Sequence, residues 1–395
     1  MTDYAYSSPQ AALDALLERI RPVGAESIAL ADATGRVLAA PVVADRDSPP
    51  CDVSAMDGFA VRSVDCSSNA IAIAGAIRIG TAPPSLVPNT ALRIVTGAAI
   101  PFGADAIVKH EDVEIVGDAV RPRVAVRSGD HIRKRGENLS HNFEVVPAGT
   151  CLTAPVIAAL ATFGVARPIV HHRVRVAIVT SGDELVPVDA SPDEWHIRDS
   201  NGAALAAMLG ANSTVVLCRQ RHAVDEEPQL REQIALAMSE SDAVIITGGV
   251  SMGERDFVPK ILRRLSVRVA FHRLPQRPGK PLLAGVGWMD GPVLALPGNP
   301  LSVLVTARRF AVAAVRRRAG LVAPEPIASV LLDDPDSATI PLWWHRLVRI
   351  TSPGRAQLVM GRGSGDVPSA ARSDGFVELP PGAGGPGPWP FLPWS

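Results

Sequence analysis

The chain has 395 residues, 47% of them hydrophobic and 20% charged, with a formal net charge of −1 at pH 7. This length predicts about two to four domains, and the composition supports several packed cores rather than a disordered chain. Interspersed charges of near-zero sum argue against whole-molecule attraction to nucleic acid or to an anionic membrane.

In MTDYAYSSPQAALDALLERI, Ser8 as N-cap, Pro9 at the first helical position and Leu13, Leu16, Leu17 and Ile20 on one face predict an amphipathic helix. No basic segment followed by an apolar core precedes it, and no apolar run approaches the ~18 residues of a membrane span, so neither a signal peptide nor a membrane segment is expected. Cys51, Cys66, Cys151 and Cys218 form no C-x-x-C pair. That speaks against a disulfide framework or a cysteine zinc site and for a reducing cytoplasm.

From about residue 50 to 138, short alternating runs (AIAIAGAIRIG, LRIVTG, ADAIVKHEDVEIV, VRPRVAVRSGD) punctuated by Gly and Pro predict a β-rich module. The stretch TAPVIAALATFG predicts a helix that stops at Gly164. Between 173 and 320 the rhythm changes. RVRVAIVTSGDEL reads as a strand entering a loop, DSNGAALAAMLG as a capped helix, STVVLC as a strand and DEEPQLREQIALAMSES as a helix. The strand AVIIT, the helix DFVPKILRRL, the strands PLLAGV and PVLAL, and a long helix from Pro300 to Ala319 closed by Gly320 follow. Such alternation implies a doubly wound, mainly parallel sheet covered on both faces. The last residues return to short β runs (WWHRLVRI, AQLVM, GFVELP) before a Pro/Gly-rich tail, GAGGPGPWPFLPWS, read as lacking regular structure. The expected architecture is multidomain α/β plus β. It comprises a helical and extended linker domain (1–50 and 139–172), a β-rich insertion domain (51–138), a central α/β domain (173–321) and a small C-terminal β domain (322–395).

Ligands of open α/β sheets sit outside the carboxyl ends of the strands, and three strands here end in unusual loops. TSGDELV places Asp183 and Glu184 after a buried strand, either to hold a cation or polar ligand or to cap a helix. TGGVSMGERD brings Gly248, Gly249, Ser251, Gly253 and Asp256 together. Glycines admit a phosphate to backbone N–H groups, Ser251 can donate to it, and Asp256 can hold a divalent cation against it; the alternative is a glycine turn capped by Ser251. The loop has neither Walker A nor dinucleotide-binding spacing. LPGNPLSV, with Asn299 as N-cap, Pro300 at the first helical position and Ser302 nearby, is either a structural cap or an anion site. RPGKP adds Arg277 and Lys280, suited to phosphate or a small oxyanion, or to a solvated turn. Together these loops suit a phosphorylated, nucleotide-sized ligand held with a divalent metal; Mg²⁺ matches oxygen donors, and no His/Cys cluster exists for zinc.

The motifs SAMDGFAVR (54–62), RIVTGAAIPFGADAIVKHED (93–112), GDHIRKRGEN (129–138), VAIVTSGDEL (176–185), DSN (199–201), TGGVSMGERD, PGKP and LPGNP occur in this order along nearly the whole chain. The chain thereby resembles the MoeA family of molybdopterin molybdenumtransferases, related to the E domain of gephyrin. The resemblance implies an elongated four-domain homodimer that inserts molybdate into adenylylated molybdopterin and releases AMP with Mg²⁺ assistance. It implies a cleft shared between the α/β domain of one subunit and the β-rich domain of the other.

Carried over by motif, it implies catalytic roles for Asp57, Glu184, Asp256 and Lys280, with Asp57 and Asp256 toward the metal. It implies substrate contacts from Thr96, Asp183, Asp225, Gly248, Gly249, Ser251, Gly253, Pro297, Gly298, Asn299, Pro300 and Ser302. Molybdate contacts are implied for Arg277, Lys280, Arg346 and Ser369, and a molybdopterin adenylyltransferase and apo-molybdoenzymes are implied partners. Asn138 stands where the family pattern has an acid, and the tail lacks the family's final Gly-x-x-Val strand. A catalytically weakened paralogue acting as a molybdopterin-binding or scaffold protein is therefore the alternative expectation.

Overall fold

The computed structural model of the chain describes residues 4–66, 69–251 and 256–394. Gly253, one of the expected phosphate-loop residues, lies outside them. The chain divides into two compact units. The smaller comprises Pro41–Pro147 with Ala158–Ala166, and the larger takes the segments before, between and after.

The smaller unit is built on a six-stranded sheet, ordered Ala106–Lys109, Gly58–Val61, Thr90–Ile94, Ile71–Ala76, Ala119–Pro122 and Val113–Val116. Alternation assigns its side chains to two cores. Phe59, Val61, Ala91 and Val108 enter one, and Ala60, Leu92, Ile94 and Ile107 the other.

The larger unit contains an α/β sheet of six strands: β1 (Val174–Ser181), β2 (Val215–Ala223), β3 (Ala243–Thr247), β4 (Arg268–His272), β5 (Leu283–Val286) and β6 (Pro292–Leu296). Their order is β2-β1-β3-β6-β5-β4. The first four are parallel neighbours, and β5 pairs antiparallel with both β6 and the edge strand β4. β4 has no counterpart in the sequence reading, and β2 runs on to Ala223, beyond STVVLC.

Both sheet faces are buried. Val176 and Ile178 pack with Leu16, Leu205 and Phe310 on one side, while Ala177 and Val179 pack with Leu230, Ile234 and Ile261 on the other. The N-terminal helix Pro9–Leu17 forms as its sequence requires, with Ser8 Oγ accepting from the Ala11 amide at 3.1 Å. The helix starting at Pro300 is interrupted by a π turn, Ala307–Ala311, before it continues as Val312–Arg318 and ends at Gly320. That turn carries the buried Arg308 and Arg309.

The C-terminal strands are β7 (Ala328–Leu332), β8 (Trp343–Ser352), β9 (Arg355–Leu358), β10 (Gly375–Leu379) and β11 (Trp389–Pro393). They are ordered β8-β9-β7-β11-β10, and β10 pairs back onto β8 to close a small barrel. The Pro/Gly-rich tail is therefore not irregular throughout, as its composition suggested. β11 inserts between β7 and β10, and Phe391 and Leu392 are buried. Burial of those two side chains and two flanking ladders outweigh the local proline content. Among the described residues, no helix is long and apolar enough to cross a membrane.

Candidate functional site

The chain leaves β1 for β2 on one side and returns to β3 on the other. A crevice opens where neighbouring connections diverge in this way, at the carboxyl ends of the strands. The loops after β1, β3 and β6 meet there around a cleft of about 370 Å³. Glu184, Asp225, Gly248, Gly249, Ser251, Asp256, Pro297, Gly298, Asn299 and Pro300, all named from sequence, line it.

The paired glycines have a geometric cause. Gly248 and Gly249 adopt φ of 97° and 60°, in the left-handed region that favours glycine. A Cβ on Gly248 would lie 2.5 Å from the Ser181 carbonyl oxygen. The glycines are needed to pass the end of β1 so closely. Asn299 occupies the N-cap position of its helix, but its side chain makes no capping bond.

The cleft is rich in carboxylates. Asp183 Oδ1 accepts from the Asp225 amide at 2.9 Å. Burial raises the Asp225 pKa, and the charges of Asp183, Glu184 and Asp256 raise it further. Among the described residues no three His, Cys, Asp or Glu side chains form a ready-made metal cage.

A second cleft of about 610 Å³ shares Pro281, Pro297 and Asn299 with the first. It is lined by Arg277, Lys280, Ser302, Trp344 and Arg346. Gln276–Arg277 pairs parallel with Trp343–Trp344, which attaches the RPGKP turn to the barrel. Within that turn Gly279 has φ of 93°, and a Cβ there would lie 2.3 Å from Thr306 Cγ2. The Lys280 ammonium lies 5.7 Å from the Tyr4 ring centre.

Arg346 stacks on Trp344 at 4.2 Å and donates to both Asp336 oxygens at 2.6 and 2.5 Å. Ser369 does not line this cleft. It is buried behind the wall, donating to Asp366 Oδ2 at 2.6 Å and to the Met360 carbonyl at 3.4 Å.

Asp57 and Thr96 belong to the smaller unit, at adjoining ends of the paired strands Gly58–Val61 and Thr90–Ile94. The Thr96 amide donates to Asp57 Oδ1 at 2.7 Å and its hydroxyl to the same atom at 2.8 Å. The amide bond first, and then the hydroxyl bond, hold the Asp57 carboxyl below the usual range.

The sequence reading left out Ser181, Ile197, Arg198, Ser200 and Asn201, which also line the first cleft. The signal was the DSN triplet, quoted above without a role. Its Asp199 accepts from Thr180 Oγ1 at 2.9 Å and from the Gly202 amide at 2.8 Å. The buried Asn201 donates to Thr247 Oγ1 at 3.2 Å and to the Gly298 carbonyl at 2.8 Å. One helix start thus ties together the ends of β1, β3 and the loop after β6.

Comparison with known proteins places this arrangement. Residues 7–164 match the family model for the MoeA N-terminal region (domain I and II), and residues 177–317 match that for a probable molybdopterin binding domain. The molybdopterin molybdenumtransferase of Nostoc sp. is 37% identical over 305 residues, covering 75% of this chain and 70% of the relative. That of Staphylococcus epidermidis is 32% identical over 377 residues, covering 91% and 88%. The crystal structure of the molybdopterin biosynthesis moeA protein from Pyrococcus horikoshii superposes with a TM-score of 0.79 at 25% identity, over 98% of this chain and 99% of that one. With two family models spanning most of its length and whole-chain relatives above 30% identity, this chain is a member of the MoeA family.

Proposed function

We propose that this protein is a transferase of molybdenum cofactor biosynthesis, a molybdopterin molybdenumtransferase. It inserts molybdate into adenylylated molybdopterin with release of AMP. The observation that carries the reading is the convergence of the three strand-end loops on one cleft, which meets a second cleft bearing Arg277, Lys280 and Arg346. The first suits the phosphate end of a nucleotide-like substrate, through backbone N–H groups and Ser251. The second suits a tetrahedral dianion, through Arg277 and Lys280. Arg346 already serves Asp336, and Ser369 acts from behind the wall by holding the segment around Met360.

Mg²⁺ fits the oxygen donors of the first cleft. It is commonly held by one or two carboxylates plus substrate phosphates rather than by a protein cage. Asp256, with Asp225 close enough to feel its charge, would hold it there, and bound Mg²⁺ would neutralise charge on the phosphoanhydride. This chain's own part is positional. The glycine loop presents amides to the phosphates, Glu184 and Asp225 orient polar groups, and Lys280 balances the incoming oxyanion.

A homodimer in which Asp57 and Thr96 serve the cleft of a second copy belongs to the same reading. So do a cytoplasmic site of action and exchange of substrate and product with a molybdopterin adenylyltransferase and apo-molybdoenzymes.

The test is complementation of an insertase-deficient strain, scored by molybdoenzyme activity at low and high molybdate. Wild type is expected to restore activity. Asp256→Asn should lose about a hundredfold or more with an unchanged melting temperature. Failure of wild type at both molybdate levels removes the insertase reading. Mixing Asp57→Ala with Asp256→Ala chains should recover part of the activity, and verified mixed dimers without any would remove the shared cleft.

A further inference from the structure

The first cleft poses an electrostatic problem. Glu184, Asp225 and Asp256 line it, and Asp183 lies beside Asp225, yet the proposed substrate is itself anionic. Among the described lining residues one cation is present, Arg198.

Its placement is fixed by backbone and side chain together. Leu185–Val186 and Ile197–Arg198 form a two-residue parallel ladder directly after the β1 loop. The Ile197 amide donates to the Glu184 carbonyl at 2.8 Å, and the Asp199 amide donates to the Val186 carbonyl at 2.9 Å. Immediately after Arg198, the DSN triplet anchors the chain to β1, β3 and the loop after β6. The Arg198 guanidinium is itself held, Nε–H donating to the Ala190 carbonyl at 2.9 Å. Among the described residues no carboxylate lies within ion-pair distance of it, although Glu184, Asp225 and Asp256 line the same cleft.

A guanidinium pinned through Nε keeps its two terminal nitrogens as a planar fork, the geometry that matches two oxygens of a phosphate. Side chains mounted on paired backbone also reach a ligand with less loss of conformational freedom than side chains on unconstrained loops.

The geometry points to Arg198 as a substrate-binding residue that grips a phosphate of the nucleotide portion of the substrate. The inference rests on the proposed function for the nature of the ligand and adds a fixed side-chain cation to the charge that bound Mg²⁺ would supply in that cleft.

The experiment measures AMP and adenosine binding by titration calorimetry to the full chain, as wild type, Arg198→Ala and Arg198→Lys. AMP carries the phosphate and adenosine lacks it. Arg198→Ala is expected to weaken AMP about tenfold or more, to leave adenosine within about twofold, and to flatten the salt dependence of AMP binding. Arg198→Lys should restore part of the AMP affinity, because it keeps the charge but loses the fork. Arg198 is exposed, so neither variant should disturb the fold, which circular dichroism checks.

Unchanged AMP affinity in Arg198→Ala overturns the assignment, as does equal weakening of AMP and adenosine. Wild type that binds no AMP overturns it too. If wild type complements the insertase-deficient strain while Arg198→Ala binds AMP normally, the Arg198 assignment alone fails. If wild type does not complement but AMP binding depends on Arg198, the insertase reading alone fails.

Discussion

Thr96 gives both its amide and its hydroxyl to a single oxygen of Asp57, at 2.7 and 2.8 Å. Two donors on one carboxylate oxygen fix its direction and favour the ionised form.

Thr96→Val keeps the amide bond and deletes the hydroxyl. Because the Asp57 pKa is held down in the wild type, the variant should titrate at higher pH, moving back toward an ordinary aspartate. NMR titration of the Asp57 carboxyl carbon reads this directly. Insertion activity should fall about tenfold, the worth of one charge-assisted hydrogen bond expressed in the reaction. Thr96→Ser should retain both properties. An unmoved titration in Thr96→Val would deny the hydroxyl any influence on Asp57.

Gly279→Ala should cost about 1–3 kcal/mol, since alanine is strained at a φ of 93° and its methyl carbon meets Thr306 Cγ2. Adding Thr306→Ser removes that methyl group and keeps a hydroxyl able to donate to the Ser302 carbonyl, now 2.6 Å from the Thr306 Oγ1. Thermal melts should show partial recovery in the double variant. The KM for molybdate should rise in the single variant, because the same turn carries Arg277 and Lys280.

The strand-end loops were legible in the sequence because each joins a short apolar run to Gly, Pro and small polar residues. That pattern marks both a buried strand and its carboxyl end. What escaped the reading depends on tertiary pairing. RVAFH is a strand because PLLAGV lies beside it, and the proline-flanked Phe391–Leu392 pair is a strand because two barrel neighbours enclose it. Arg198 and Asn201 were overlooked for a different reason. They reach the cleft through a short parallel ladder between residues twelve apart, and such a crossing leaves no local periodicity. Ser369 shows the converse, since its match to a family motif did not disclose that Asp366 and a wall of backbone stand around it.

Asn138 also looks different in its folded setting. Sequence places it among Arg133, Lys134 and Arg135, a basic environment in which an acid would be welcome. In the structure Arg133 pairs with Glu137, Lys134 with Asp52 and Arg135 with Asp47. Asn138 accepts from Arg133 at 2.5 Å and donates to Ser48 Oγ at 3.2 Å. Asn138→Asp should therefore change stability by less than about 1 kcal/mol, as for exposed pairs, and leave the insertion rate within about twofold. A larger gain in rate or in Mg²⁺ dependence would show that the family acid takes part in the chemistry.

Glu378 sits between Arg309, on the π turn, and His345, on the barrel, accepting from Arg309 at 2.8 and 3.3 Å and lying 3.1 Å from His345 Nε2. Burial alone would raise its pKa, but the hydrogen bonds and charges of His345 and Arg309 outweigh it and lower it from 4.5 to about 2. A lowered carboxylate pKa contributes stability that is fully present above the unfolded value and is lost as pH falls toward the folded one. The window therefore runs from about pH 5 down to about 2. Glu378→Gln should cost about 3–5 kcal/mol at pH 7, because the buried Arg309 guanidinium loses its counter-charge. The deficit against wild type should shrink at pH 3. Urea unfolding at the two pH values measures it, and an equal deficit at both would remove the ionised carboxylate as the cause.

The closure of the barrel by β11 also governs the order in which the protein can be made. During synthesis β7, β8, β9 and β10 emerge first, and two of them keep an unsatisfied edge until residues 389–393 have left the ribosome and entered between them. Open strand edges are templates for pairing with other chains. The moment of greatest exposure to misassembly in this domain therefore falls between the emergence of β10 and that of β11, and it ends with the arrival of one five-residue segment.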